Sequence, residues 1–227
     1  MNIELIKQFQ FEAAHTTNGR LHGHSYIVEI KCEGECDEVL GWLLDYGEIS
    51  EQFEPLYQQL DHHTLDDVTG MLESTVPGIE AWLNAHLSIQ VPYFHSVRVR
   101  IAGDCAFHTR VIEEPDVFGE PPRVRFGFEA AHFLPNVPET HKCRRMHGHS
   151  FRVEVAARDL APLESALRGI YDELDHSCLN KIDGLDNATS EQVARWIWEQ
   201  LTARGADKLI SVTVAETCTA RCVYRGL

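Results

Sequence analysis

Positive charge is what this chain has least of. Its 227 residues carry 20 Lys and Arg against 35 Asp and Glu, a formal net charge of −15. A surface of that sign repels a phosphate backbone, which argues against nucleic acid as a partner. Long apolar runs are missing as well, so no membrane span is expected. The opening residues, Met1-Asn2-Ile3-Glu4-Leu5-Ile6-Lys7, read as a strand rather than a secretory signal peptide. The seven cysteines are an odd count with no secretory context, which argues against a closed disulfide framework. The expected setting is therefore a reducing cytoplasm with Cys143 free. Cys218 and Cys222, four apart near the C-terminus, read as buried thiols rather than a second metal site.

What is present is a repeat. Phe9-Gln10-Phe11-Glu12-Ala13-Ala14-His15 returns as Phe126-Gly127-Phe128-Glu129-Ala130-Ala131-His132, and His22-Gly23-His24-Ser25 returns as His147-Gly148-His149-Ser150. Asp61-His62 matches Asp175-His176, Trp82 matches Trp196, and Ser96-Val97-Arg98-Val99 matches Ser211-Val212-Thr213-Val214. Two tandem domains follow, at residues 1–114 and 121–227, with the proline-rich, acidic stretch 113–122 as a stiff exposed linker. Their charge differs. Residues 1–115 hold 6 Lys/Arg and 19 Asp/Glu, whereas residues 116–227 hold 14 and 16, so the second half repels a polyanionic substrate less.

Each copy reads β-β-α-α-β-β. Residues 3–14 and 24–33 alternate as strands, and Phe53, Leu56, Tyr57 and Leu60 mark one face of a helix. A second helix carries Ile79, Trp82, Leu83 and Leu87 after Pro77-Gly78, and residues 97–101 and 106–112 are the closing strands. In the second copy the strands are 123–132, 149–157, 210–214 and 219–224. Leu163, Leu167, Ile170 and Leu174 line one helix, and Thr189-Ser190-Glu191 opens the next. Only 26 residues separate His149 from Asp175, against 37 from His24 to Asp61, so the second copy lacks the longer hairpin and the Leu44-Asp45-Tyr46-Gly47 element.

The histidines carry the chemistry. On a strand, positions i and i+2 share a face about 7 Å apart, so His147 and His149 can converge on one ion with Gly148 leaving room between them. Adding His132 makes three imidazoles with an open fourth position, the donor set of a catalytic zinc. With no acidic or thiolate ligand expected nearby, zinc is favoured over calcium or magnesium. His15, His22 and His24 form the same set in the first copy. Cys143 lies four residues before His147, flanked by Lys142, Arg144 and Arg145, whose charge is expected to lower its pKa. Asp175-His176 has the composition of a carboxylate orienting a proton-carrying imidazole. Glu216 has two oxygens to face two N–H donors of an amino-pyrimidine edge. In the first copy Asn18 and Ile101 stand where Cys143 and Glu216 stand in the second.

Together these motifs resemble the 6-pyruvoyltetrahydropterin synthase family, and the second half is most similar to its branch of 6-carboxytetrahydropterin synthases of queuosine biosynthesis. The likeness rests on Phe128-Glu129-Ala130-Ala131-His132, Cys143-x3-His147-Gly148-His149, Leu174-Asp175-His176-x2-Leu179-Asn180, Thr189-Ser190-Glu191 and Glu216-Thr217-Cys218-Thr219-Ala220. It implies an α+β fold of two tandem T-folds, each a four-stranded antiparallel sheet with two helices on one face. It implies zinc on His132, His147 and His149, Cys143 as general base helped by Asp175 and His176, and pterin contacts from Glu216 and the Thr189–Glu191 region. The implied reaction converts dihydroneopterin triphosphate to 6-carboxytetrahydropterin, triphosphate and acetaldehyde. The alternatives are the pyruvoyl-forming synthase and a non-catalytic pterin- or metal-binding protein. The first copy is expected to bind zinc without catalysing. Open sheet edges imply a homo-oligomer, with three chains in stacked rings expected and a two-chain barrel as the alternative, and such contacts would let Asp61-His62 or Asp175-His176 of one domain approach the metal site of a neighbour.

Overall fold

The computed structural model describes all residues except 105, 117–118, 161–162, 207, 218 and 227. Cys218 and two positions of the expected linker, Val117 and Phe118, therefore lie outside the described residues. The fold is α+β, with two sheets, each carrying two helices.

The first sheet begins with β1 (Asn2–Thr17) and β2 (Arg20–Glu35), antiparallel partners along their whole length. Only Asn18 and Gly19 join them, both at positive φ (52° and 74°). Asn-Gly in that conformation is the two-residue hairpin turn whose twist matches the strands. After β2 come α1 (Tyr46–Leu60), β3 (His63–Thr64), α2 (Val76–Gln90) and β4 (Phe94–Ile101). Asp45, in the extra segment of the first copy, caps α1 by accepting from Gly47 N. Helix α2 starts at Val76, before Pro77-Gly78 rather than after it. Thr75 is its N-cap, and a proline in the first turn sacrifices no hydrogen bond.

The second sheet repeats the plan with β6 (Arg123–His132), β7 (His147–Ala157), α3 (Leu163–Leu174), β8 (Ser177–Cys178), α4 (Ser190–Ala203), β9 (Leu209–Ala215) and β10 (Cys222–Tyr224). The strand orders are β3-β1-β2-β4 and β10-β9-β7-β6-β5, with β8 also on β6; β3 and β8 are short parallel additions. Each unit buries its own apolar core between helices and sheet.

One strand departs from the sequence reading. β5 (Arg110–Ile112), expected to close the first copy, pairs instead with β6 of the second sheet. Phe107 carries the chain across. It packs 5.0 Å from Tyr171 and 6.1 Å from Phe126, with the Arg168 guanidinium 4.6 Å above its ring. The start of β6 would otherwise be an open edge.

Glu154 on β7 bridges Arg123, at 2.5 Å, and Arg125 on β6. Burial pushes its carboxyl up, but the two guanidiniums prevail and hold it below the ordinary glutamate value. Glu154→Leu would leave the buried Arg123 without its counter-charge. The expected cost is about 3 kcal/mol, the low end for a broken buried pair, because Arg123 also donates to Glu114 O and Pro121 O. The carboxylate's stabilisation is present above its unfolded pKa of 4.5 and is lost as pH falls through the lower folded value. Urea melts at pH 7 and pH 3 check this: the gap between wild type and variant should shrink in acid.

Candidate functional site

The antiparallel register of β6 and β7 sets His132 directly opposite His147 and Ala130 opposite His149. All three imidazoles are buried, at 0–1% exposure. Each turns Nδ1 outward to an acceptor: His132 donates to Ala188 O (2.7 Å), His147 to Arg145 O (2.8 Å) and His149 to Glu12 Oε2 (2.9 Å). With Nδ1 so engaged, the three Nε2 atoms are the ones that face one another across the cluster. The three Nε2 atoms are buried and have no hydrogen bond of their own. Glu216 Oε1 approaches two of them, at 3.3 Å from His132 and 2.9 Å from His149. Four ligand atoms thus lie within 4.8 Å of one another, a donor set that fits a divalent ion of the zinc type. The expectation of no acidic group nearby is corrected by Glu216, which reaches the cluster from the end of β9.

Cys143 stands beside this cluster on the loop 133–146 between β6 and β7. The loop is braced by Asn180, which accepts from Phe133 N and donates to Phe133 O (2.9 and 2.8 Å). Ligand atoms of Cys143, His147 and His62 lie within 4.8 Å of one another. The His62 ring stacks on His147, centroids 4.3 Å apart. Asp61 Oδ2 lies 2.9 Å from His62 Nδ1 and 3.2 Å from Lys142 Nζ, and Arg145 Nε donates to His62 O (2.9 Å). The Asp-His pair beside the thiol therefore comes from the first copy.

Its counterpart is exchanged in turn. The His176 ring lies 4.4 Å from that of His22, and Asp175 Oδ2 accepts from His176 Nδ1 (2.7 Å). Asp175 and His176 thus stand over His15, His22 and His24, not over Cys143. The cause is the docking of the two hairpins about a local two-fold axis. Ser25 N donates to Ser150 Oγ and Ser150 N to Ser25 Oγ, both at 3.1 Å. A methyl on Gly148 would lie 2.2 Å from Gly23 Cα, and one on Gly23 would lie 2.4 Å from Gly148 Cα, so glycine is required on both sides. Each Asp-His follows a helix of its own unit and has its histidine at positive φ (His62 57°, His176 51°), which turns the ring across the junction.

The first cluster has the same internal geometry. His15 faces His22 in the β1–β2 register, and their Nε2 atoms are 3.0 Å apart. Nδ1 of His15 donates to Ser74 O (2.6 Å), that of His22 to Arg20 O (3.2 Å) and that of His24 to Glu129 Oε2 (2.6 Å). Nothing stands in the place of Cys143. The Asn18-Gly19 turn replaces the whole fourteen-residue loop, so Asn18 is a turn residue rather than a substituted base. Burial and neighbouring imidazoles push His22 and His24 down to about 4.

Electrostatics at the thiol differ from expectation. Burial raises the Cys143 pKa, and the carboxylates of Glu216 and Asp61 add to it, while Lys142 alone among these neighbours pulls it down. His62 is pushed down by burial against the pull of Asp61, so its ring is neutral near pH 7. Burial also opposes charge on His149, but Glu12 and Glu216 outweigh it and push that ring up to about 9. Glu216 is held well below the usual carboxylate range by His132 and His149 in spite of its burial.

Of the remaining expected residues, Thr189 is the N-cap of α4 and accepts from Gln192 N. Glu191 is exposed on the first turn of that helix. The residue of this segment that serves the site is Ser190, whose hydroxyl donates to Glu216 Oε2 (2.7 Å). Sequence reasoning singled out neither Glu12 nor, within the Thr189–Glu191 segment, Ser190, and it left open which domain's metal site each Asp-His pair serves. A cavity of about 390 Å³ between the sheets includes Arg110, Arg125 and Arg152 in its lining, but not the imidazole clusters.

Residues 4–109 and 123–227 each match the family described as 6-pyruvoyl tetrahydropterin synthase. A 6-carboxy-5,6,7,8-tetrahydropterin synthase of Synechocystis sp. is 42% identical over 115 residues, spanning 44% of this chain and 88% of that protein. A dihydroneopterin monophosphate aldolase of Pyrococcus furiosus is 35% identical over 86 residues, 34% of this chain and 70% of that protein. A 6-carboxy-5,6,7,8-tetrahydropterin synthase of Bacillus subtilis is 29% identical over 115 residues, 42% and 78% of the two chains.

Proposed function

The chain belongs to the 6-pyruvoyl tetrahydropterin synthase family, as two tandem matches, and on that premise we propose that it is a zinc-dependent lyase converting 7,8-dihydroneopterin triphosphate to 6-carboxy-5,6,7,8-tetrahydropterin, with release of triphosphate and acetaldehyde. It would serve queuosine-type 7-deazapurine synthesis. The observation that carries this reading is the convergence of one thiol, one Asp-His pair and one carboxylate on a buried cluster of three imidazoles.

A zinc ion held by His132, His147 and His149 would supply Lewis acidity to the substrate's side-chain oxygens and acidify the C–H beside them. The chain's own groups divide the remaining work. The Cys143 thiol, its pKa raised, is protonated at neutral pH and needs a base. Neutral His62 takes that proton, and Asp61 stabilises the imidazolium, the usual activation of a thiol by a paired histidine. The thiolate then accepts the substrate proton, and His62 returns its own proton to the substrate. Glu216, held by Ser190, turns a carboxylate toward the pterin's amino edge. The roles given to Asp175 and His176 in the sequence reading pass to Asp61 and His62 by this geometry.

The first unit would hold a second metal ion without catalysing, since it has neither the thiol loop nor a counterpart of Glu216. Ile101 occupies that register position, opposite Tyr26. β4 and β10 end their sheets with open edges, which a homo-oligomer, three chains in this reading, would close. No helix among the described residues is long and apolar enough to cross a membrane.

Product analysis tests the proposal. Incubation with dihydroneopterin triphosphate should give acetaldehyde and 6-carboxytetrahydropterin in equal amounts. Triphosphate without acetaldehyde would show the pyruvoyl-forming reaction instead, and unchanged substrate would leave a binding protein.

A further inference from the structure

Six imidazoles make the two clusters, and four of them fix their outward Nδ1–H on a backbone carbonyl of their own unit. The other two do not. His149 donates to the carboxylate of Glu12 (2.9 Å) and His24 to that of Glu129 (2.6 Å), in each case across the junction between units. Both carboxylates are buried, Glu12 at 6% exposure and Glu129 at 1%. Neither has a Lys or Arg within ion-pairing distance among the described residues. Each is instead held by the serine opposite it on the neighbouring strand. Ser25 Oγ donates to Glu12 Oε2 (2.5 Å), and Ser150 Oγ donates to Glu129 Oε2 (2.7 Å). The two serines in turn accept each other's backbone N–H. Glu12, Ser25, Ser150 and Glu129 thus form one continuous chain of hydrogen bonds, buried except at half-buried Ser150, running from His149 of the second cluster to His24 of the first.

We infer that Glu12 and Glu129 are positioning residues that set metal affinity in the opposite unit: Glu12 governs the His132/His147/His149 cluster and Glu129 the His15/His22/His24 cluster. A carboxylate behind a ligating imidazole fixes the ring's tautomer and orientation and raises the basicity of the nitrogen facing the metal. Losing such a partner typically weakens metal binding 10–100-fold. A backbone carbonyl orients the ring equally well but cannot carry a full charge, which sets Glu12 and Glu129 apart from the four carbonyl acceptors. The first unit, without a counterpart of Cys143, thereby contributes to the second site twice, through His62 and through Glu12.

The inference rests on the metal reading above, and the experiment separates the two. Zinc affinity is measured by chelator competition in two parent proteins, His22→Ala, which keeps only the second cluster, and His147→Ala, which keeps only the first. If the parents bind no zinc, the metal reading fails. Given binding, Glu12→Gln should weaken zinc at least about 10-fold in the His22→Ala parent and by less than about 3-fold in the His147→Ala parent. Glu129→Gln should show the reverse pattern. Affinities that do not change, or losses equal in both parents, would overturn the inference, since general loosening of the junction makes no such distinction. Thermal melts establish that each variant is folded. Should Glu12→Gln not fold, Glu12→Asp, which keeps the charge but withdraws it by one methylene, is read by the same contrast between parents.

Discussion

His62→Ala should lower kcat by about 10²–10⁴-fold, although His62 belongs to the copy that has no counterpart of Cys143, and His176→Ala should change it far less. The magnitude is that of a lost general acid–base group. The asymmetry follows from placement. His62 stacks on His147 within reach of Cys143, whereas His176 lies over His22. His62 has a second duty in this account, since a thiol with a raised pKa cannot supply thiolate unaided. Its loss should therefore also move the rising limb of the pH–rate profile to higher pH, toward the thiol's own ionisation. Steady-state kinetics on the two single variants, each checked for metal content, decide the matter. Equal losses in both would mean that the exchange of Asp-His pairs does not operate in the working enzyme.

Cys143→Ala should abolish turnover while leaving metal content unchanged. The thiol sits beside the cluster, but Nε2 of all three histidines already supplies the three protein donors of a catalytic zinc without it. Without the thiolate that takes the substrate proton, the expected loss is again at least about 10²-fold. Metal analysis of the purified variant and single-turnover assays of product check the two halves. Zinc lost together with activity would make Cys143 a ligand rather than a base. Activity retained would remove the thiol from the chemistry altogether.

The imidazole clusters were legible because every element of them is local. His-Gly-His on a strand and a histidine ending its hairpin partner meet in whatever register the apolar alternation imposes. The partners of those clusters were not legible, for a common reason. Asp61 and His62 lie more than eighty residues before Cys143, and which Asp-His faces which cluster depends on how the units dock. Nothing in the strand or helix periodicity encodes that. The thiol's pKa was misjudged on the same account: Lys142 is a sequence neighbour, whereas Glu216 and Asp61 arrive through the fold and outweigh it together with burial. Asn18 is different. Asn-Gly between two alternating runs is a strong hairpin signal, so the absence of a loop there could be read from the sequence alone. Aligning Asn18 with Cys143 by counting back from His22 obscured it. The crossing of β5 had only Phe107 as its cue, and one aromatic in a loop does not name the core it enters.

The exchange of side chains between the two units has a kinetic consequence. A site assembled from separate chains comes apart on dilution, and its specific activity then depends on protein concentration. Here Cys143 and His62 are tethered through one backbone. The short linker 113–122 holds the two units at an effective concentration on the order of millimolar, far above most cellular protein levels. Every thiol therefore keeps its own imidazole at any dilution, in a fixed ratio of one to one, and the second set of partners is free to serve a cluster that has no thiol to activate.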